Sequence, residues 1–274
     1  MKFLRALRYR KNRFVVKADQ QSFECGFTMV ELAIVILVVT LVSAGLLRPV
    51  GLYIEQRKIA ETRETLETAK EALINFALLN KRLPCPDTDN PGDGIGNGCA
   101  ACAGGPPASC AGWIPFAELS ISGQDAWGNR IGYQVSQNYA NNTGITLASD
   151  STINIDTRIN DPLTITVEKV DPPPAGPHNV ADRLPAILIF HGPNGLGAFK
   201  MDGNQNALPG PGSIDEVENI DMTNDHWHAR TPTPDVGACD DDIPGQPYCE
   251  FDDILIWISP HVLKSRMVQA GRLP

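Results

Sequence analysis

The sequence predicts an α+β fold: a long N-terminal helix, membrane-spanning in its first half, packed on an antiparallel β-sheet with disulfide-tied loops. Three observations predict it. A 21-residue apolar run, Phe27 to Leu47, is followed closely by a stretch from Tyr53 to Arg82 that contains no Gly or Pro. Beyond Pro84, short segments rich in Ile, Val, Thr and Tyr alternate with Pro- and Gly-rich connections. An even number of cysteines, six of the seven, lies downstream of the apolar run. The chain has 274 residues, enough for one large domain with appendages. With 20% charged and 42% hydrophobic residues, wholesale disorder is excluded. Twenty-four Gly and 22 Pro without a collagen period favour a loop-rich, sheet-containing fold over a helical bundle.

The formal net charge of −9 argues against a nucleic-acid binder, and no nucleic-acid partner is expected. That average conceals a split. Residues 1–26 carry seven basic side chains and two acids, net +5, which leaves 16 basic and 30 acidic groups, net −14, for residues 27–274. A basic head before an acidic body reads as a targeting segment before an exported domain. The apolar run has one charge, Glu31, and at 1.5 Å per residue it spans about 31 Å, close to the thickness of a hydrocarbon core. Seven basic groups precede it and only Arg48 follows closely, so the head is expected to stay cytoplasmic while the rest crosses.

From Tyr53 the pattern stays helical. Leu66, Ala69, Leu73, Phe76 and Ala77 step by three or four and form one stripe for burial. Arg57/Glu61 and Glu67/Lys70 decorate the solvated face. Leu83 to Gly112 lacks periodicity and reads as a loop. Strands are expected at Arg130–Ser136, Ile145–Ala148, Leu163–Val170, Pro185–Phe190 and Ile254–Ile258, in a meander-like order. A short terminal helix is expected over His261–Ala270, ending at Gly271. Disulfide candidates are Cys85, Cys99, Cys102, Cys110, Cys239 and Cys249, with the last two closing a loop of their own. Cys99-x-x-Cys102 lacks the second ligand pair that zinc requires and the βαβ setting of a redox motif.

Glu31 is the central feature. A charge at the centre of a membrane helix costs roughly 2.5–3.5 kcal/mol on insertion scales and calls for a partner. A cut just before Phe27 would create a positive α-amine one helical turn from that carboxylate. The order Gly26-Phe27-Thr28-Met29-Val30-Glu31-Leu32, followed by an apolar run and Pro49, resembles the leader-peptidase and N-methylation motif of type IV pilins and pseudopilins. The resemblance implies cleavage between Gly26 and Phe27, methylation of Phe27, and a role for Glu31 in assembly. It divides the chain into a basic leader (1–26), a transmembrane and polymerisation helix (27–48), its amphipathic continuation (49–82) and an exported pilin-like domain (83–274). The implied location is the inner membrane, single-pass with the C-terminal domain in the periplasm, and then a pilus or pseudopilus. The implied partners are the prepilin peptidase/N-methyltransferase and other pilin or pseudopilin subunits. Val42-Ser43-Ala44 has the small-residue pattern of an ordinary signal-peptidase site, against which stand the long head and Glu31.

A second resemblance lies downstream. Asp125-Ala126-Trp127-Gly128-Asn129-Arg130-Ile131-Gly132-Tyr133 is similar to the Asp-Pro-Trp-Gly-Asn stretch of major pseudopilins of type II secretion, with Ala126 in place of the proline. Asp252-Asp253-Ile254-Leu255-Ile256-Trp257 is similar to the acidic-Ile-x-x-Trp end of those proteins, and His191-Gly192-Pro193-Asn194-Gly195 sits where they have a calcium-binding loop. The resemblance implies a calcium ion at Asp252 or Asp253; no other cofactor is expected. Two long insertions point to a minor subunit. Asp240-Asp241-Asp242 reads as an acidic surface turn, and His226-Trp227-His228 as a surface or partly packed pair. No G-x-S-x-G elbow or Gly-rich phosphate cradle is present, so an enzyme is not expected. The alternative to a filament subunit is a membrane-anchored periplasmic binding or adhesive domain.

Overall fold

A computed structural model describes residues 28–97, 99, 109–158, 178–221, 225–243 and 245–274. The expectations on Gly26, Phe27, Cys102 and the strand Leu163–Val170 lie outside them. The chain divides into two compact units, Met1–Gly51 and Leu52–Pro274.

In the first unit, helix α1 (Met29–Asn80) begins at Met29. Its described side chains from Val30 to Val42 are exposed on every face, and apart from Glu31 and Thr40 they are apolar. Thr40 satisfies its hydroxyl inside the helix, donating to the Leu37 carbonyl at 2.8 Å. No helix among the described residues is long and apolar enough to cross a membrane. Those with described side chains reach only Ser43 in this run, and the side chains of residues 44–50 lie outside them.

The second unit is built in layers on the remainder of α1. The expected stripe is buried at Leu66, Ala69, Leu73 and Ala77, joined by Thr62 and Ile74; Phe76 is only half-buried. The helix stops at Asn80, where Lys81 takes a positive φ of 60° before Pro84. The stripe packs on a four-stranded antiparallel sheet of order β1-β2-β5-β7: β1 Ser109–Trp113, β2 Gly132–Ser136, β5 Ala186–Phe190 and β7 Ile254–Ile258. Tyr133, Val135, Leu188, Phe190 and Ile258 face α1 in the main core, together with Leu263 and Met267 of the terminal helix α5 (Pro260–Gln269).

The opposite face of this sheet carries a second layer that the sequence did not announce. Three short strands, β3 (Asn154–Thr157), β4 (His178–Ala181) and β6 (His226–His228), form a sheet of order β4-β3-β6, in which β3 and β6 run parallel. Ile153, Ile155 and Trp227 pack there against Ile187 and Ile189. This explains why β2 and β5 are buried at every position: both faces of the sheet are covered. Short helices α2 (Phe116–Leu119), α3 (Gln137–Ala140) and α4 (Ile214–Ile220) lie in the connections.

Two expectations are corrected. Ile145–Ala148 is a turn, because the Ser149 hydroxyl takes the Thr146 N–H at 2.9 Å and Ser149 N–H returns to the Thr146 carbonyl. The end of the stretch read as a loop, Ser109–Gly112, belongs to β1, whose small residues Ser-Cys-Ala-Gly carry little strand propensity and are held by pairing with β2. The disulfides Cys85–Cys99 and Cys239–Cys249 are formed, and Cys110 is also disulfide-bonded. With Cys99 joined to Cys85, Cys99-x-x-Cys102 is not a redox pair.

The long polar region is held by charge. Arg230, almost fully buried, donates to Asp215 at 2.7 Å and to Asp241 at 3.2 Å, and its guanidinium lies 4.6 Å from the centroid of the Phe251 ring. Arg158 joins from the end of β3, donating to Asp215 and Asp242, each at 2.8 Å. Asp240-Asp241-Asp242 is thus not a simple surface turn: Asp241 is buried within this network. Arg230→Met should cost about 3–5 kcal/mol, since Asp241 is left buried without its cation and Asp215 keeps only Arg158; chemical denaturation measures it. Isolation without reductant should leave Cys239 and Cys249 unreactive to thiol reagents, and Cys239→Ser should lower the melting temperature, because the short ring is worth about 3 kcal/mol in the chain-entropy model.

Candidate functional site

Three regions gather the residues singled out by sequence. At the head of α1, Glu31 is exposed in the first turn, and its backbone N–H donates to Thr28 Oγ1 at 3.2 Å. Thr28 therefore caps the helix through its hydroxyl, with Glu31 at the third helical position. Its carboxylate also sits at the positive end of the helix dipole.

The Asp125–Asn129 segment is a tight turn. Asp125 Oδ1 accepts the N–H groups of Trp127 (2.7 Å) and Asn129 (2.9 Å), and Gly128 takes a φ of 85° that favours glycine. The turn clamps α1 to the sheet. Trp127 stacks on Phe190 with centroids 5.2 Å apart, and Lys58 of α1 lies over the indole. Ala126, unlike proline, has an N–H, and the buried Thr62 of α1 accepts it at 3.2 Å. The clamp is built with that extra bond.

The third region is a carboxylate cluster at the start of β7. Glu216 of α4, Asp252 and Asp253 each place an oxygen within 4.8 Å of the others. Asn194 reaches both sides, its backbone N–H donating to Asp252 Oδ2 at 2.9 Å and its amide to Glu216 Oε1 at 3.4 Å. Asn219 donates to Asp253 Oδ2 at 2.8 Å, and His191 Nδ1 lies 3.5 Å from Asp253 Oδ1. Gly192 allows this approach, since a Cβ there would fall 1.8 Å from Asp252 Oδ1. The structure thus brings the expected Asp252 and Asp253 together with the His191–Gly195 turn.

The cluster is under-satisfied. Glu216 Oε2 and Asp252 Oδ1 are buried without a hydrogen-bond partner, and Glu216 is only 2% exposed. Burial, then the charges of Asp253 and Asp252, push the Glu216 carboxyl up to about 8. Burial pushes Asp252 up to about 7, although the Asn194 N–H opposes the shift. Three converging carboxylates with orphaned oxygens fit a hard divalent cation such as calcium, which would neutralise them and tie α4 to β7. Glu216 was missed by sequence reasoning, because nothing in Ile214–Ile220 marks one acid among Asp215, Glu216 and Glu218.

Other acidic and histidine groups do not make such a site. Asp87, Asp89 and Asp93 also converge, but Asp87 is taken by Arg130 at 3.3 Å and by the N–H groups of Gly94 and Asp89. His226 and His228 lie on strand β6, where His228 is buried against Asp215 and Glu218 while His226 faces Asp156 from the surface.

Millimolar calcium should raise the melting temperature relative to chelator, and Glu216→Gln should abolish the difference. In chelator, stability should fall as pH rises from about 4.5 toward 8, because the folded state keeps a proton on Glu216 that the unfolded chain has released. Thermal melts across that range, with and without calcium, check both statements. No family model, curated protein or solved structure matches this chain, so the chemistry of the cluster follows from its own geometry.

Proposed function

We propose that this chain is a minor pilin or pseudopilin-like structural subunit of a type IV pilus or type II secretion pseudopilus, cut after Gly26 and assembled through its N-terminal helix. One observation carries the reading: α1 presents apolar side chains on every face from Met29 to Val42, headed by a single acid, Glu31. A helix apolar all round belongs in lipid or among other apolar helices, and Thr40 closes its hydroxyl within the helix as such surroundings require. Anchored in the inner membrane with its domain in the periplasm, the subunit then leaves lipid for the core of a filament. The chemistry is done on it by the prepilin peptidase/N-methyltransferase, which cuts the leader and methylates the Phe27 amine. That amine then faces Glu31 in the same or a neighbouring subunit.

The layered domain supports the reading: an amphipathic helix lies on an antiparallel sheet, clamped at Trp127. Mass and N-terminal sequence of the mature chain test it directly. N-methylated Phe27 is expected, and a chain starting at Gly45 would refute it. Glu31→Gln keeps the Thr28 cap, which uses the backbone N–H, and removes only the charge. Export and cleavage should survive while the filament-to-membrane ratio falls, since an unpaired buried charge costs about 3–5 kcal/mol. Wild-type protein that never leaves the membrane for sheared filaments would point instead to an anchored binding or adhesive domain.

A further inference from the structure

A cleft of about 500 Å³ lies between the turn at Leu147–Asp150, the connection from β4 to β5 at Ala181–Leu184, and the start of α5. It shares no residue with the carboxylate cluster and has the size of a small-molecule site. Its walls are tied by hydrogen bonds that leave the cleft itself unfilled. Lys264 Nζ donates to the carbonyls of Leu147 at 2.9 Å and Ser149 at 2.6 Å, and the Tyr139 hydroxyl donates to Ser149 at 2.8 Å. On the opposite wall, Arg183 takes a φ of 57°, a left-handed backbone that glycine adopts with less strain. Its guanidinium forks onto Asp150, with Nε 2.7 Å from Oδ1 and NH2 on Oδ2.

Three polar groups of the cleft remain unspent. The Asp182 carboxylate, the His261 imidazole and the Trp257 indole N–H make no hydrogen bond among the described residues. Asp182 only accepts, the indole N–H only donates, and a neutral imidazole does one at each nitrogen. Trp257 is half-buried and adds apolar ring surface to these polar groups. Two cations, Arg183 and Lys264, stand against two carboxylates, Asp150 and Asp182, so the lining carries no net charge. These features select a chemistry. An anion would engage only the donors and face both carboxylates. A hydrocarbon would cover the unspent groups and cost them their water. Hydroxyls donate and accept at once, and a neutral sugar ring joins several of them to an apolar C–H surface.

We propose that this cleft binds a neutral pyranose sugar, whose hydroxyls exchange hydrogen bonds with Asp182, His261 and the Trp257 indole N–H while its C–H groups lie against the Trp257 ring. This holds whether or not the chain polymerises. The probe is an array of neutral, sialylated and sulfated glycans, read with the fluorescently labelled full chain in a detergent that has no sugar headgroup. The best neutral glycan is then titrated by calorimetry. Saturable binding of neutral glycans is expected. Asp182→Asn changes an exposed, unpaired carboxylate, and it should weaken binding roughly tenfold or more while the melting temperature stays unchanged. Trp257→Phe keeps an aromatic ring, removes the N–H and should weaken binding similarly. Failure to bind any neutral glycan would overturn the proposal, and so would binding confined to sialylated or sulfated glycans, which would mark an anion site. Binding that Asp182→Asn leaves intact would place the sugar elsewhere and overturn the assignment to this cleft.

Discussion

The unit from Leu52 onward depends on one packing interaction, the burial of Leu66, Ala69, Leu73 and Ala77 of α1 on the inner face of β2 and β5. Small residues at two of these four positions let the helix lie close to the sheet. Tyr133 and Phe190 fill the space around them, and the Tyr133 hydroxyl is satisfied by the Pro84 carbonyl at 3.1 Å. The Asp125–Asn129 turn fixes the helix along its axis through Trp127 and Thr62. Every other element is placed relative to that pair of layers: α5 completes the same core, and the second sheet covers the other face of β5.

Apolar packing accounts for the layers, and buried charge accounts for the long polar region between β5 and β7. Arg230 and Arg158 bring Asp215, Asp241 and Asp242 together, and the Cys239–Cys249 bridge closes the ring that Arg230 reaches through the Cys249 carbonyl. Buried ion pairs add little net stability, because desolvation offsets attraction, yet breaking one is costly. Such a network therefore specifies where an insertion sits more than how stable it is. The same arrangement sets Asp215 against the arginines and leaves its neighbour Glu216 facing Asp252 and Asp253 without a cation of its own. A helix of seven residues thus presents two buried acids, Asp215 satisfied and Glu216 with an unsatisfied oxygen.

That asymmetry bounds what could be read of the candidate site. Asp252 and Asp253 were singled out only through the resemblance of Asp252–Trp257 to the acidic-Ile-x-x-Trp end of pseudopilins. The segment from His191 to Gly195 was connected to them by the same resemblance, since by itself it reads only as a Gly- and Asn-containing turn. Glu216 was invisible, since its role depends on which way a short helix faces, and α4 has no periodic apolar stripe to indicate it. Likewise, β1, β3, β4 and β6 escaped detection because short segments of mixed polarity become strands only when a partner strand supplies the hydrogen bonds.

The sequence by itself determined the long helix and its two halves, since an uninterrupted apolar run and a three-four stripe are local patterns that no neighbour can rearrange. It also determined the three strands at β2, β5 and β7, whose surroundings are rich in Ile, Val, Tyr or Trp, the terminal helix ending at Gly271, and the closed ring of Cys239 and Cys249, whose ends are near in sequence. Only the tertiary structure decided that both faces of the sheet are covered, that β1 pairs with β2, and that Glu216 completes the carboxylate cluster. Each of these joins residues far apart in the chain. Their proximity is set by which surfaces must leave water together, a quantity that no window of sequence contains.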